Sequence, residues 1–102
     1  RGRLDSATET IELALAERET ANALALKAEI LLETGNISTA LTTVDKAVRK
    51  SSRYSRGWLL KGQIHLAKDE SDKAKAALQR FLELKPTGKD ADEVRGLLEV
   101  MP

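Results

Sequence analysis

His65 is the residue of this chain best suited to acid–base chemistry, because an imidazole titrates near neutral pH. Asp69 follows four residues later, a spacing at which a carboxylate on the same helix face could orient the ring. However, the chain has one histidine and no cysteine, and no serine is placed to complete a nucleophilic relay. The pattern favours a packing role for His65 and predicts that the chain is not an enzyme.

Asp90, Asp92 and Glu93 form an acidic cluster that could be mistaken for a set of metal ligands. They precede a run of apolar residues typical of a helix, and carboxylates at a helix start complement its dipole. The oxygen ligands of a calcium loop, spread over about 12 residues, are missing. The sequence therefore predicts helix-start carboxylates, with no metal site and no cofactor.

A basic segment occupies residues 46 to 56, where the cations Lys46, Arg49, Lys50, Arg53 and Arg56 occur without an acid. Two interpretations fit it. Lys46, Arg49 and Lys50 fall at the end of a predicted helix, where cations interact favourably with the dipole. Alternatively, Lys46, Arg49, Lys50 and Arg53 form a docking patch for an anionic group, such as an acidic peptide or a phosphate.

The 102 residues have the length of one domain and carry 17 Lys and Arg against 16 Asp and Glu, a formal charge of +1. This balance argues against duplex DNA or an anionic membrane surface as a partner, so we expect no nucleic-acid partner. Without cysteine, a disulfide framework is excluded. The apolar runs are only a few residues long, whereas a membrane-spanning helix needs about 20, and we expect no direct membrane insertion.

The ends of the chain leave its compartment open. The sequence starts with Arg1-Gly2-Arg3 and its single methionine is Met101, so we expect it to be a piece of a longer protein. No signal peptide is visible, because no apolar stretch precedes a small-residue cleavage site. The lack of cysteine fits both the cytoplasm and the periplasm, and the localisation stays unknown.

Apolar residues recur every three or four positions along the chain, which is the spacing of one helix face. Gly35-Asn36, the segment 68–71 and Pro86-Thr87-Gly88 interrupt this pattern, as helix ends do. No stretch shows the alternation of a strand. These signals predict an all-α fold of about six helices, in which short connections make neighbouring helices antiparallel.

The apolar pattern also repeats along the chain, which makes internal repeats the next feature to consider. A shift of the sequence by 34 positions aligns Leu24 with Trp58, Ala28 with Gly62, Ala40 with Ala74, and Val44 with Leu78. In each unit a large residue is followed four positions later by a small one, and a second helix carries the alanine. We expect these small residues to let the two helices of a unit approach closely.

This pattern resembles the tetratricopeptide repeat family, whose helix–turn–helix unit of about 34 residues has the same period. The family's large, small and aromatic positions look like Trp58, Gly62 and His65, with histidine in place of the usual ring. The resemblance implies a right-handed superhelix of antiparallel helix hairpins within a single domain, residues 1–102. Residues 21–54 and 55–88 would be two repeats, preceded by a half-repeat helix at 4–18 and followed by a C-terminal capping helix at 90–101.

In this family the first helix of each unit lines the concave side of the superhelix. The resemblance therefore implies a concave face, defined by these residues: Asn22, Ala25, Glu29, Leu32, Arg56, Leu59, Gln63 and Leu66, with Glu33 and Ala67 beside them. Apolar residues among polar neighbours suit an amphipathic helix or an extended peptide of another protein. Glu29 and Glu33 would repel a carboxylate, which argues against binding of chaperone C-termini.

Two functions follow from these patterns. The first is a protein–protein interaction scaffold, a module of a larger protein that binds a peptide or helix of a partner through the predicted concave face. The alternative is a structural spacer or self-association segment of a repeat array, without a peptide ligand of its own. It is motivated by the small number of repeats, since terminal units must cover exposed apolar faces.

Overall fold

The computed structural model describes residues 20–101, which form five helices and contain no strand. The helices are α1 (Ala21–Glu33), α2 (Ile37–Lys50), α3 (Ser55–Ala67), α4 (Ser71–Leu84) and α5 (Lys89–Val100). The helix predicted at residues 4–18 lies outside the described residues. For residues 20–101, the all-α prediction is confirmed.

The helix starts follow the predicted repeat. First helices begin at Ala21, Ser55 and Lys89, and second helices begin at Ile37 and Ser71. α1 packs with α2 as one hairpin and α3 with α4 as another, while α5 packs against α4 as α3 packs against α2. α5 therefore occupies the position of a first helix in a third unit.

α1 and α3 end in the same way, with one residue in the left-handed region. Gly35 after α1 has a φ of 85°, and Asp69, at the equivalent position after α3, has a φ of 58°. The next amide then turns back to the helix: Asn36 N lies 2.8 Å from Leu31 O, and Glu70 N lies 2.9 Å from His65 O. These bonds satisfy carbonyl groups that a helix end leaves without a partner.

Two apolar clusters fill the space between the helices. The first joins α1, α2 and α3, and its buried residues are Ala25, Ala28, Ala40, Val44, Leu60 and Ile64. The second joins α4 and α5 through Leu78, Phe81, Ala91 and Val94, with the partly buried Trp58, Leu59 and Leu66 of α3 packed against it. The clusters therefore bury one side of each helix and fix α1 beside α3.

Gly62 is buried where α3 meets α4. A Cβ atom at this position would lie 2.5 Å from Leu78 Cδ2 and 3.5 Å from the carbonyl oxygen of Ala74. The expected close approach of the two helices is confirmed, and the side chain of Leu78 is what requires the glycine. At Gly96, the equivalent position of α5, a Cβ would meet no atom within 4 Å, so that side of α5 is open.

Candidate functional site

α1 and α3 lie side by side, which brings the two halves of the predicted concave face together. Tyr54 donates from its hydroxyl to Asn22 Oδ1 at 3.0 Å, and Arg56 Nη2 donates to Glu29 Oε2 at 2.6 Å. Both contacts join a residue at the start of α3 or just before it to a residue of α1. They fix the polar part of the face where the start of α3 meets α1, and the Arg56–Glu29 contact crosses the boundary between the units.

The Arg56–Glu29 pair lies at the surface, with side-chain exposures of 45% and 31%. The hydrogen bond to Glu29 raises the pKa of Arg56, and desolvation opposes this shift. Exposed ion pairs contribute about 0–1 kcal/mol to stability, because water screens the charges and two long side chains lose freedom. The pair therefore contributes little to the stability of the fold, and its main effect is to neutralise the charge of Glu29 on the face.

Three leucines of the predicted concave face are half-buried. Leu32 packs against the first cluster, and Leu59 and Leu66 pack against the second, while Gln63 beside them is exposed. Ala25 requires a correction of the predicted contact set. Its side chain is 1% exposed and belongs to the first cluster, so it supports the face from below and offers no contact surface.

A cavity of about 120 Å³ continues this face between α3 and α5. It is lined by Leu59, Gln63, Leu78, Asp90, Glu93, Val94 and Leu97. Its apolar lining comes from leucine and valine side chains, and two exposed carboxylates stand beside them. The sequence pattern assigned Asp90 and Glu93 only to a helix start. Extending the repeat by one more unit aligns Asp90 with Arg56, and this alignment could have identified both carboxylates as part of the face.

The assignment of the acidic cluster to a helix start is confirmed for its first two members. Asp90 and Asp92 lie in the first turn of α5. Neither caps the helix, because the N-cap position is Gly88 with a φ of 111°. Among residues 20–101, no group of three or more His, Cys, Asp or Glu side chains is arranged to bind a metal ion.

A larger cavity of about 410 Å³ lies on the opposite side of α3, between α2 and α4. Lys61 is one of its lining residues, and its Nζ lies 2.9 Å from Asp45 Oδ1 and 5.4 Å from the centre of the Trp58 ring. The Trp58 indole N–H donates to the carbonyl oxygen of Ser52 at 2.9 Å. The Lys61 ammonium that lines this cavity therefore already interacts with Asp45 and Trp58 of the same chain.

His65 is buried, with 4% of its surface exposed. Its Nδ1 lies 2.9 Å from Glu70 Oε1, and because an ionised carboxylate can only accept, Nδ1 is the donor. This hydrogen bond lowers the pKa of Glu70. The carboxylate that contacts the ring belongs to Glu70, because Asp69 adopts a left-handed conformation that turns Glu70 back towards the ring.

The basic segment is divided between two surfaces. Lys46, Arg49 and Lys50 are exposed near the end of α2, with the last two in its final turn, and Arg53 is exposed in the following connection. Arg56 lies in α3 and pairs with Glu29 of α1. The position of Arg49 and Lys50 fits the dipole interpretation, and the docking patch stays a prediction.

In the part of the chain that the structure covers, no helix combines the length and the apolar character needed to cross a membrane.

A family model described as tetratricopeptide repeat matches residues 26–89, more than half of the chain. Repeats of this family are generally protein–protein interaction modules, and the family is a non-catalytic scaffold. A search of curated protein sequences gives no match.

Proposed function

Because the chain belongs to the tetratricopeptide repeat family, we propose that it binds a peptide or helix of a partner protein through the predicted concave face. The observation that carries this proposal is the strip formed by α1 and α3, which lie side by side. It presents half-buried leucines, Leu32, Leu59 and Leu66, between polar side chains. A partner with its own apolar side would remove the remaining leucine surface from water, at about 25 cal/mol per Å² of apolar area.

The polar side chains of this strip are held before any partner arrives. Tyr54 fixes Asn22 within the first repeat, and Arg56 fixes Glu29 across the boundary between the two repeats. Side chains that are already ordered lose less conformational entropy on binding. This arrangement supports a rigid docking surface formed by helices, and we propose that the polar groups beside the leucines give it specificity.

The outer side of α5 supports the proposed domain organisation, with repeats at 21–54 and 55–88 and a capping helix at 90–101. At the positions where α3 has Trp58 and His65, α5 has Asp92 and Glu99, which are exposed. A polar outer face is what a terminal helix of a repeat array requires for solubility. These carboxylates would be costly to bury beneath another helix.

One observation favours the alternative function, a spacer or self-association segment. Leu26 on α1 is 48% exposed and Val100 on α5 is 79% exposed, and they are the exposed large hydrophobic residues of the described part. Apolar residues on the first and last described helices could join copies of the chain in series. Sedimentation velocity over a range of concentrations separates the two functions, since a monomer at every concentration contradicts self-association.

The concave-face proposal is tested by selecting peptides from a random display library against the chain. Bound peptides are then located by the shifts of backbone amide resonances. We expect shifts along α1 and α3 at the predicted concave face, and Gln63→Trp should weaken binding by about tenfold or more through a steric block. Gln79→Trp, on the exposed side of α4, is the control. Shifts confined to α2 and α4, or equal affinities of the two variants, would contradict the proposal.

A further inference from the structure

The two boundaries between units carry different charges at equivalent positions. At the first boundary, Glu29 of α1 accepts a hydrogen bond from Arg56 of α3 at 2.6 Å. At the second boundary, the equivalent residues of the next units are Gln63 of α3 and Asp90 of α5. The position that supplies a cation at the first boundary therefore supplies a carboxylate at the second.

The second boundary has an open cleft. Its cavity of about 120 Å³ has Leu59, Val94 and Leu97 in its lining, with Asp90 and Glu93 beside them. No Lys or Arg of the described residues lies within 4.0 Å of either carboxylate. The guanidinium of Arg56 is already bonded to Glu29.

We propose that this cleft, the α3–α5 cleft, receives an arginine side chain from the bound segment of a partner protein. The inference rests on the proposed function and specifies the chemistry of the partner. The guanidinium would lie between Asp90 and Glu93, with Gln63 as a further acceptor. It would occupy at the second boundary the role that Arg56 has at the first.

The lining of the α3–α5 cleft fits the two parts of an arginine side chain. Its methylene groups can cover the leucine and valine side chains while the charged head stays at the rim. The planar guanidinium can donate to more than one carboxylate oxygen, which makes such bonds both stronger and more directional. A neutral polar side chain would gain less, because it offers no charge to the carboxylates.

The net charge of the whole face also favours a basic partner. The predicted concave face and the α3–α5 cleft together contain four carboxylates, Glu29, Glu33, Asp90 and Glu93, and one cation, Arg56. Because Arg56 neutralises Glu29, three carboxylates are left without a compensating cation on this surface, and a surface with a net negative charge attracts a basic partner and rejects an acidic one. The partner segment is therefore expected to be basic and amphipathic, with leucine-like anchors for the face and an arginine for the cleft.

The test uses the peptides selected against the whole chain, each compared with a form in which arginine is replaced by glutamine. Binding is measured by calorimetry with the Asp90→Asn/Glu93→Gln variant. We expect this variant to bind the arginine peptide about tenfold more weakly and to bind the glutamine peptide as the parent does. Asp92→Asn/Glu99→Gln is the matched control, because it removes two charges of the same helix that do not line the cleft.

A variant with an internal cation gives a second measurement. Gln63→Arg places a guanidinium opposite Asp90, and we expect it to remove the preference for arginine over glutamine peptides, whereas Gln79→Arg should leave that preference unchanged. Peptides that bind the concave face but lack arginine, or that ignore the Asp90→Asn/Glu93→Gln change, would overturn the inference and leave the proposed function standing. Absence of binding at the concave face would overturn both the inference and the proposed function. If the parent self-associates and Asp90→Asn/Glu93→Gln does not, the cleft binds a second copy, which would also overturn the inference.

Discussion

Gly62 and Leu78 are in such close contact that a Cβ atom on Gly62 would lie 2.5 Å from Leu78 Cδ2 and 2.7 Å from Leu78 Cγ. Leu78 is 1% exposed and packed within the second cluster, so its side chain has little space into which it could move. Close packing of this kind makes even one added methyl group costly. The contact explains why the second hairpin needs a glycine in the middle of a helix.

The same substitution at Gly62 and at Gly96 is expected to have different effects. Alanine in a helix interior gains about 1 kcal/mol over glycine, but at Gly62 overpacking costs about 1–3 kcal/mol. Gly96→Ala should raise the melting temperature, and Gly62→Ala should be less stable than Gly96→Ala by that overpacking cost. Thermal unfolding measures the difference, since 1 kcal/mol corresponds to about 4–8 °C for a domain of this size. A Gly62→Leu variant that melts like the parent would contradict the hairpin contact.

The Arg56–Glu29 pair is expected to contribute little to stability. A double-mutant cycle with Glu29→Gln and Arg56→Gln should give a coupling of about 0.2–1 kcal/mol at low salt, because both side chains are partly exposed. The coupling should fall as salt is added. Tyr54→Phe is a suitable comparison, since it removes a neutral hydrogen bond at the same boundary. A coupling that is large and independent of salt would show that the pair is less exposed to water than described.

The His65–Glu70 contact predicts a pH-dependent stability. Because the hydrogen bond from His65 lowers the pKa of Glu70 in the folded state from its ordinary 4.5, ionised Glu70 stabilises the fold above that pH. This contribution is lost as the pH falls through the lowered value. Glu70→Gln should therefore melt below the parent at neutral pH, and the gap should narrow in acid. Glu83→Gln, at an exposed carboxylate of α4, is the charge-matched control, and a gap that does not change with pH would contradict the assignment.

Arg49 and Arg53 separate the two interpretations of the basic segment. Arg49 lies in the last turn of α2, where a cation stabilises a helix by about 0.3–1 kcal/mol, whereas Arg53 lies beyond the helix end. Arg49→Gln should lower stability at low salt by that amount, and Arg53→Gln should not. For the docking patch, Arg49→Glu/Arg53→Glu should weaken binding of an acidic peptide, and an unchanged affinity would remove that interpretation.

The helices and their order could be predicted from the sequence because they depend on local spacing. The breaks at Gly35-Asn36 and at residues 68–71 coincide with the ends of α1 and α3, and the alignment of Ala28 with Gly62 identified the contact inside each hairpin. The partner of His65 could not be predicted in this way. A four-residue spacing favoured Asp69, but Asp69 ends the helix in a left-handed conformation, which moves the next carboxylate, Glu70, into contact.

The amino-acid sequence alone determined the helices, the repeat and its period, because helix periodicity and small-residue spacing are properties of neighbouring positions. The tertiary structure decided which charges meet. Arg56 belongs to a basic segment in sequence but pairs with Glu29 of the other unit, and Asp90 joins Leu59 at a cleft. Such pairs form where separate helices pack side by side. The spacing of residues along one helix does not specify which side chain of the neighbouring helix lies opposite them.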